Sequence, residues 1–120
     1  MICKRGDVIL VRFPNSDLET YKKRPALVVQ ADIDTGLEQK IVALITSNLK
    51  RTGPTRVAVR KESPLGRQMG LRTDSVIVAD NLATVLEREM DQIIGKCTDL
   101  CAVENALRKT FALDVKNSCE

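Results

Sequence analysis

Histidine does not occur in this 120-residue chain, and that absence removes most familiar catalytic templates at once. Without an imidazole there is no Ser-His-Asp triad, no Cys-His pair and no histidine-dependent metal cluster. Zinc is further disfavoured because Cys97-x-x-x-Cys101 has helical rather than Cys-x-x-Cys spacing, and no second close pair accompanies it. The chain also lacks a Gly-x-x-x-x-Gly-Lys-Ser/Thr loop and a Gly-x-Gly-x-x-Gly turn, the two common cradles for nucleotide phosphates. Runs of about 18 apolar residues are missing, and no basic segment leads into an apolar stretch at the amino terminus. The expectation is a cytoplasmic protein with no membrane contact and no metal or other cofactor. At this length one domain with a single real core is expected, so Cys3, Cys97, Cys101 and Cys119 read as reduced, structural thiols rather than staples.

Aromatic residues are scarce as well: two phenylalanines, one tyrosine and no tryptophan. An aromatic platform for stacking bases is therefore nearly unavailable, with Tyr21 the one candidate and Phe13 reading as core. Arginine planes can substitute in part.

Positive charge, by contrast, is concentrated. The net charge is only +3, yet Lys50 to Arg72 holds seven basic residues against Glu62, a local balance of +6 that leaves −3 for the rest. A basic stripe on a nearly balanced protein suggests an anionic partner, nucleic acid being the commonest. Arg51 and Arg56 are the leading candidates within it for contacts to such a partner. A second concentration is Lys22-Lys23-Arg24-Pro25-Ala26-Leu27-Val28-Val29, which drives three fixed cations into the mouth of an apolar strand.

The periodicity predicts strands over 8–13, 26–30, 41–46, 56–60, 75–79, 82–86 and 92–97, with a helical turn at 87–90. Residues 15–23 show no periodicity and read as a long mobile loop. Gly66 to Gly70 is too punctuated for a long helix. Asp99 offers a cap for a closing helix that runs to about Leu113, with Cys101, Ala102, Asn105, Ala106, Lys109 and Ala112 on one face and Leu107 and Leu113 near its edge. Residues 114–120 are expected to fray. Five to seven short strands with a terminal helix indicate a mainly β fold, a small antiparallel barrel that is SH3-like in broad terms.

If such a chain is an enzyme, arginine, carboxylate and hydroxyl groups must do the work. That set suits RNA cleavage by the neighbouring 2′-hydroxyl, where the nucleophile belongs to the substrate and the protein mainly stabilises charge on phosphorus. Antiparallel pairing would bring Arg24, at one strand's start, near Thr46-Ser47-Asn48 at the next strand's end. A guanidinium can hold a phosphate through two hydrogen bonds, and a hydroxyl adds an adjustable donor.

Four blocks carry a resemblance: Gly6-Asp7-Val8-Ile9-Leu10-Val11, Lys23-Arg24-Pro25-Ala26-Leu27-Val28-Val29, Ala43-Leu44-Ile45-Thr46-Ser47, and Asp74-Ser75-Val76-Ile77 with Asp80-Asn81. In this order and spacing they resemble the MazF/PemK/Kid toxins over roughly residues 1 to 113. The resemblance implies a barrel of the PemK/CcdB type, a homodimer, and a metal-independent, sequence-selective endoribonuclease acting on single-stranded RNA. It implies products with 2′,3′-cyclic phosphate and 5′-hydroxyl ends, and restraint by an antitoxin with an acidic, disordered tail. The family's catalytic arginine falls on Arg24, its active-site threonine on Thr46 and an acidic position used by some members on Asp80. Two residues before Asp80, this chain has Val78 where one branch of the family has an arginine.

Arg24 is expected chiefly as stabiliser of the pentavalent phosphorane and as a candidate proton donor to the leaving 5′-oxygen, since a guanidinium stays protonated at neutral pH. Thr46 would orient the phosphate. For the proton of the 2′-hydroxyl, Asp80, Glu19 and a water are all candidates. Base selection would come from residues 15–23 and 48–56, with Tyr21, Lys22, Lys23, Ser47 and Asn48 as further RNA contacts. A non-catalytic reading, a CcdB-like gyrase poison or a domain that only binds nucleic acid or antitoxin, would concentrate function in the last helix instead.

Overall fold

The computed structural model describes residues 3–15 and 17–114. Six strands, β1 (Asp7–Pro14), β2 (Tyr21–Val28), β3 (Gln39–Thr46), β4 (Arg56–Val59), β5 (Ser75–Leu86) and β6 (Met90–Lys96), form one sheet in the order β4-β5-β3-β2-β1-β6. Every pairing is antiparallel. A short helix α1 (Pro64–Gln68), a 3-10 turn at Glu87–Glu89 and a closing helix α2 (Cys101–Thr110) complete the fold. The mainly β architecture with a C-terminal helix is as expected, and β4 and β6 form the two edges of the ladder. Among the described residues no helix is long and apolar enough to cross a membrane.

The central strands are apolar at successive rather than alternate positions because both faces of the sheet are covered. Ile9, Val11, Phe13, Ala26, Val28, Val42, Leu44, Val76 and Val78 pack on one face. Val8, Leu27, Ala43, Ile45 and Ile77 point to the other, where Met69 and Val103 meet them. On α2 the buried face is Val103 and Ala106, flanked by Leu100 and Leu107, so it is rotated from the expected one: Ala102, Lys109 and Ala112 are exposed. The helix also stops short of Leu113. Ala112 takes a left-handed conformation (φ +55°), and Leu113 N–H turns back to donate to Arg108 O at 2.8 Å, a Schellman-type ending.

The two expected strands over 75–79 and 82–86 are one strand, β5. Its register against β3 jumps from Leu44↔Val78 to Ala43↔Leu82, so 79–81 bulge out and bend the sheet without ending the strand. Strand β2 likewise begins at Tyr21, five residues before the expected start, because Tyr21 to Pro25 pair with Pro14 to Leu10 of β1. Of the expected long loop, residues 21–23 are strand and the described residues before them are tied by backbone hydrogen bonds. Asn15 N–H donates to Thr20 O and Leu18 N–H to Asn15 O, both at 2.9 Å.

Pro25 governs what happens on the other side of β2. Val29 N–H donates to Ile41 O at 3.1 Å, and amides along a strand alternate sides, so residues 27 and 25 aim at β3 as well. Proline has no amide hydrogen to offer there. The β2–β3 ladder accordingly stops at Ala26↔Leu44.

The cysteines depart from expectation at one position. Cys3 and Cys97 are free and buried, whereas Cys101 is disulfide-bonded. Burial pushes both free thiols above the usual thiol range, with Asp7 adding to the effect at Cys3. Of the segment expected to fray, residues 115–120 lie outside the described residues, Cys119 among them.

Candidate active site

Where the β2–β3 ladder stops, the ends of the two strands are unpaired, and this seam carries polar side chains on both sides. Were the register to continue beyond Ala26↔Leu44 by two residues, Arg24 would stand opposite Thr46; Lys23 instead reaches towards β6, its Nζ 3.4 Å from Asp91. Arg24 pairs with Val11 across β1, so it lies on the same sheet face as the Val11, Ala26 and Leu44 core and at that core's margin. Both Arg24 and Thr46 are half-buried, while Lys22, Lys23, Ser47 and Asn48 are exposed. Arg24, Lys22 and Lys23 thus lie on the β2 side of the point where the ladder ends, and Thr46, Ser47 and Asn48 on the β3 side.

Thr46 is prepared as a donor. Its Oγ1 accepts Asn48 N–H at 3.2 Å, which leaves the hydroxyl proton available to a ligand. Asn48 in turn accepts Lys50 N–H on Oδ1 at 3.1 Å and Arg51 N–H on its carbonyl at 3.2 Å, so the segment after β3 is folded onto itself next to the seam. Half-buried Arg51 is therefore anchored by its backbone beside Asn48.

Arg24 is held from the β1 side of β2, by the residue that follows β1. Its Nη2 donates to Asn15 Oδ1 at 3.0 Å, and Asn15 Nδ2 donates to Thr20 Oγ1 at 2.9 Å. Thr20 Oγ1 lies 3.1 and 2.9 Å from the two carboxylate oxygens of Asp17. Asp17 also accepts the N–H groups of Glu19 and Thr20, and these backbone bonds, Thr20's first, hold its carboxyl below the usual carboxylate range. Glu19 is exposed within the same turn.

Two expected residues lie elsewhere. Thr46 pairs with Val76, and Asp80 sits four residues farther along β5, a separation on the order of 10 Å at about 3.3 Å per residue less the bulge. Both oxygens of Asp80 are engaged by Arg56, Nε to Oδ1 at 3.2 Å and Nη2 to Oδ2 at 3.0 Å. Arg56 also donates to Thr52 O at 3.0 Å. The basic stripe likewise splits: Arg56 opens β4, while Arg60 and Lys61 follow its far end. Arg72 lines a groove of about 480 Å³ with Leu10, Pro25, Gln92 and Ile94.

Three partners were not apparent from sequence. Arg12 lies over the Tyr21 ring, 5.9 Å from its centroid, which leaves Tyr21 54 % exposed but already covered by a cation on one face. Asp91 pairs with Lys23 at 3.4 Å. Asn15 tethers Arg24, and its one sequence signal is the spacing Asn15-x-Asp17-x-x-Thr20, residue types that close turns with their own side chains. Among the described residues no group of three or more Cys, Asp or Glu is arranged to hold a metal ion.

A bent antiparallel sheet with a terminal helix, and polar and cationic side chains at the unpaired ends of β2 and β3, defines a small, mainly β protein. The match to known families agrees with that class. Residues 4–111 fit the family described as the PemK-like, MazF-like toxin of type II toxin-antitoxin systems, and the chain belongs to it. Solved structures share the fold. The Mycobacterium tuberculosis toxin MazF-mt6 is 25 % identical with a TM-score of 0.70, over 90 % of this chain and 98 % of that one. A mycobacterial endoribonuclease in complex with its cognate antitoxin is 23 % identical with a TM-score of 0.73, over 96 % of this chain and 100 % of the other. MazF from Deinococcus radiodurans is 21 % identical, TM-score 0.69, over 94 % and 99 %. Among curated proteins none matches.

Proposed function

We propose that this toxin is a metal-independent, sequence-selective endoribonuclease of the cytoplasm that cuts single-stranded RNA. The observation that carries this reading is the seam of unpaired strand ends with Arg24 and Thr46 on its two sides. The substrate's 2′-oxygen attacks phosphorus while the bond from phosphorus to the 5′-oxygen breaks, leaving a 2′,3′-cyclic phosphate and a 5′-hydroxyl. Arg24 stabilises the extra negative charge on the phosphorane, and Thr46 donates to a phosphate oxygen to fix its orientation. The 2′-hydroxyl proton passes to a water or to Glu19, and Arg24 donates a proton to the leaving 5′-oxygen and regains one from solvent. Asp80, committed to Arg56, serves by holding that arginine for the RNA backbone rather than by accepting the proton. Lys22, Lys23 and Arg51 steer the strand, Ser47 and Asn48 offer hydrogen bonds to base edges, and Tyr21 stacks through its free face.

The active form is a homodimer restrained by an antitoxin with an acidic tail. Support comes from the cationic seam and from the fold shared with an endoribonuclease found with its cognate antitoxin. The test is purified protein with mixed-sequence RNA in the presence of a chelator, followed by sequencing of 5′-hydroxyl ends. Cleavage at a recurring motif is expected, and Arg24→Ala abolishes it. Absence of cyclic-phosphate ends, or an Arg24→Ala variant as active as the wild type, overturns the reading and returns the protein to a purely binding role.

A further inference from the structure

The geometry points to Asn15 as the positioning residue that fixes the orientation of the Arg24 guanidinium, through a one-way hydrogen-bond chain that ends on Asp17. This inference rests on the ribonuclease reading and adds to it a residue outside the four family blocks. The direction of the chain follows from donor and acceptor counting. Arginine can only donate, so Asn15 must present its carbonyl oxygen to Nη2 at 3.0 Å. The amide nitrogen of Asn15 then points to Thr20 Oγ1 at 2.9 Å, and Thr20 must accept that bond. Its single hydroxyl proton goes to Asp17, whose carboxylate can only accept. Every bond from Arg24 to Asp17 runs the same way, and reversing any one of them breaks the next.

Asp17 itself accepts the N–H groups of Glu19 and Thr20 at 2.9 and 3.0 Å, so the far end of the chain is tied to the turn's own backbone. The near end meets Arg24 beside the one stretch of β2 that has no partner strand on the β3 side. There the ladder gives Arg24 no support from β3, and a long side chain with several rotatable bonds needs a tether to hold one orientation. Asn15 supplies it from β1's end, leaving the other guanidinium nitrogens for phosphate. This is also what a separate turn residue contributes to rate: a reacting group displaced by about 1 Å loses on the order of 100-fold.

The experiment compares single-turnover cleavage of an RNA containing the cut site with affinity for the same RNA carrying a 2′-deoxy substitution at the scissile position. Asn15→Ala is expected to slow cleavage by about 10-fold to 100-fold while affinity for the uncleavable RNA changes by less than about threefold, since Arg24 keeps its charge. Asn15→Asp, which keeps an acceptor for Arg24, restores most of the rate. In the Arg24→Ala background, Asn15→Ala has no further effect. Thr20→Val, which deletes the middle link, shows a smaller loss in the same direction. The inference is overturned if Asn15→Ala cuts like the wild type while Arg24→Ala is inactive, or if Asn15→Asp is as slow as Asn15→Ala. An active Arg24→Ala variant would instead remove the ribonuclease reading beneath it.

Discussion

Arg56 and Asp80, expected separately from the sequence, are paired in the structure. Their side chains are 28 % and 34 % exposed, so solvent screens the pair and a double-mutant cycle read by thermal unfolding should give a coupling of about 0.2–1 kcal/mol. The same cycle read by RNA binding should show Asp80→Ala adding little once Arg56→Ala is present, because the carboxylate acts through the arginine. Asp17 gives a second test at this scale. Its carboxyl is held below the usual range in the folded protein, so its contribution to the turn is present above that range and is lost as pH falls through the folded value. Proton titration followed through the amide shifts of Glu19 and Thr20 should report that loss at a pH below the unperturbed carboxylate value. The positions of Arg24 and Thr46 at strand ends were legible because each begins or ends an apolar run. Asn15 was not, since its importance lies in a contact between the end of one strand and the middle of the next.

Elements were legible where burial forced them. The apolar runs of β1, β3 and the first half of β5 are strands in both readings because sheet faces covered on both sides admit little else. The start of β2 was hidden because Tyr21, Lys22 and Lys23 are polar. They are drawn into the strand by pairing with β1, by Arg12 on the Tyr21 ring and by Asp91 on Lys23. The joint between α1 and β6 was hidden for another reason, being a backbone-to-backbone contact. A Cβ at Gly70 (φ +72°) would stand 2.2 Å from Ile94 O, whereas a Cβ at Gly36 (φ +71°) meets nothing within 4 Å. Gly36→Ala should therefore lose only the left-handed backbone penalty, about 1–2 kcal/mol. Gly70→Ala should lose a further 1–3 kcal/mol or so from overpacking, and chemical denaturation of the pair isolates that difference.

For the molecule as a whole, charge and core make separate predictions. Arg51→Ala/Arg56→Ala should weaken RNA binding and flatten its dependence on salt, because fewer counterions are released; an unchanged slope would take both residues out of the interface. Phe13 is fully buried among strands of the core, and Phe13→Ala should destabilise the fold by about 3–5 kcal/mol in denaturant titration. Fold class was readable from strand count and the terminal helix. The seam was not, because it depends on which side of β2 each amide faces, a property of register rather than of composition.

That seam makes Pro25 a stop on a zipper. Were Pro25→Ala introduced, residue 25 would regain an amide facing Ile45 O, and the ladder could close past the point where it now ends. The gain of one hydrogen bond, about 0.5–1.5 kcal/mol, is nearly cancelled by the extra freedom of the unfolded chain, about 0.4–1 kcal/mol. Thermal stability should hardly move. RNA cleavage should fall, since closure brings Arg24 and Thr46 to ordinary cross-strand spacing of about 5 Å and shuts out the phosphate that has to lie between them. A substitution that improves the sheet while disabling the protein would mark the ladder's interruption, and not only the arginine beside it, as part of the working site.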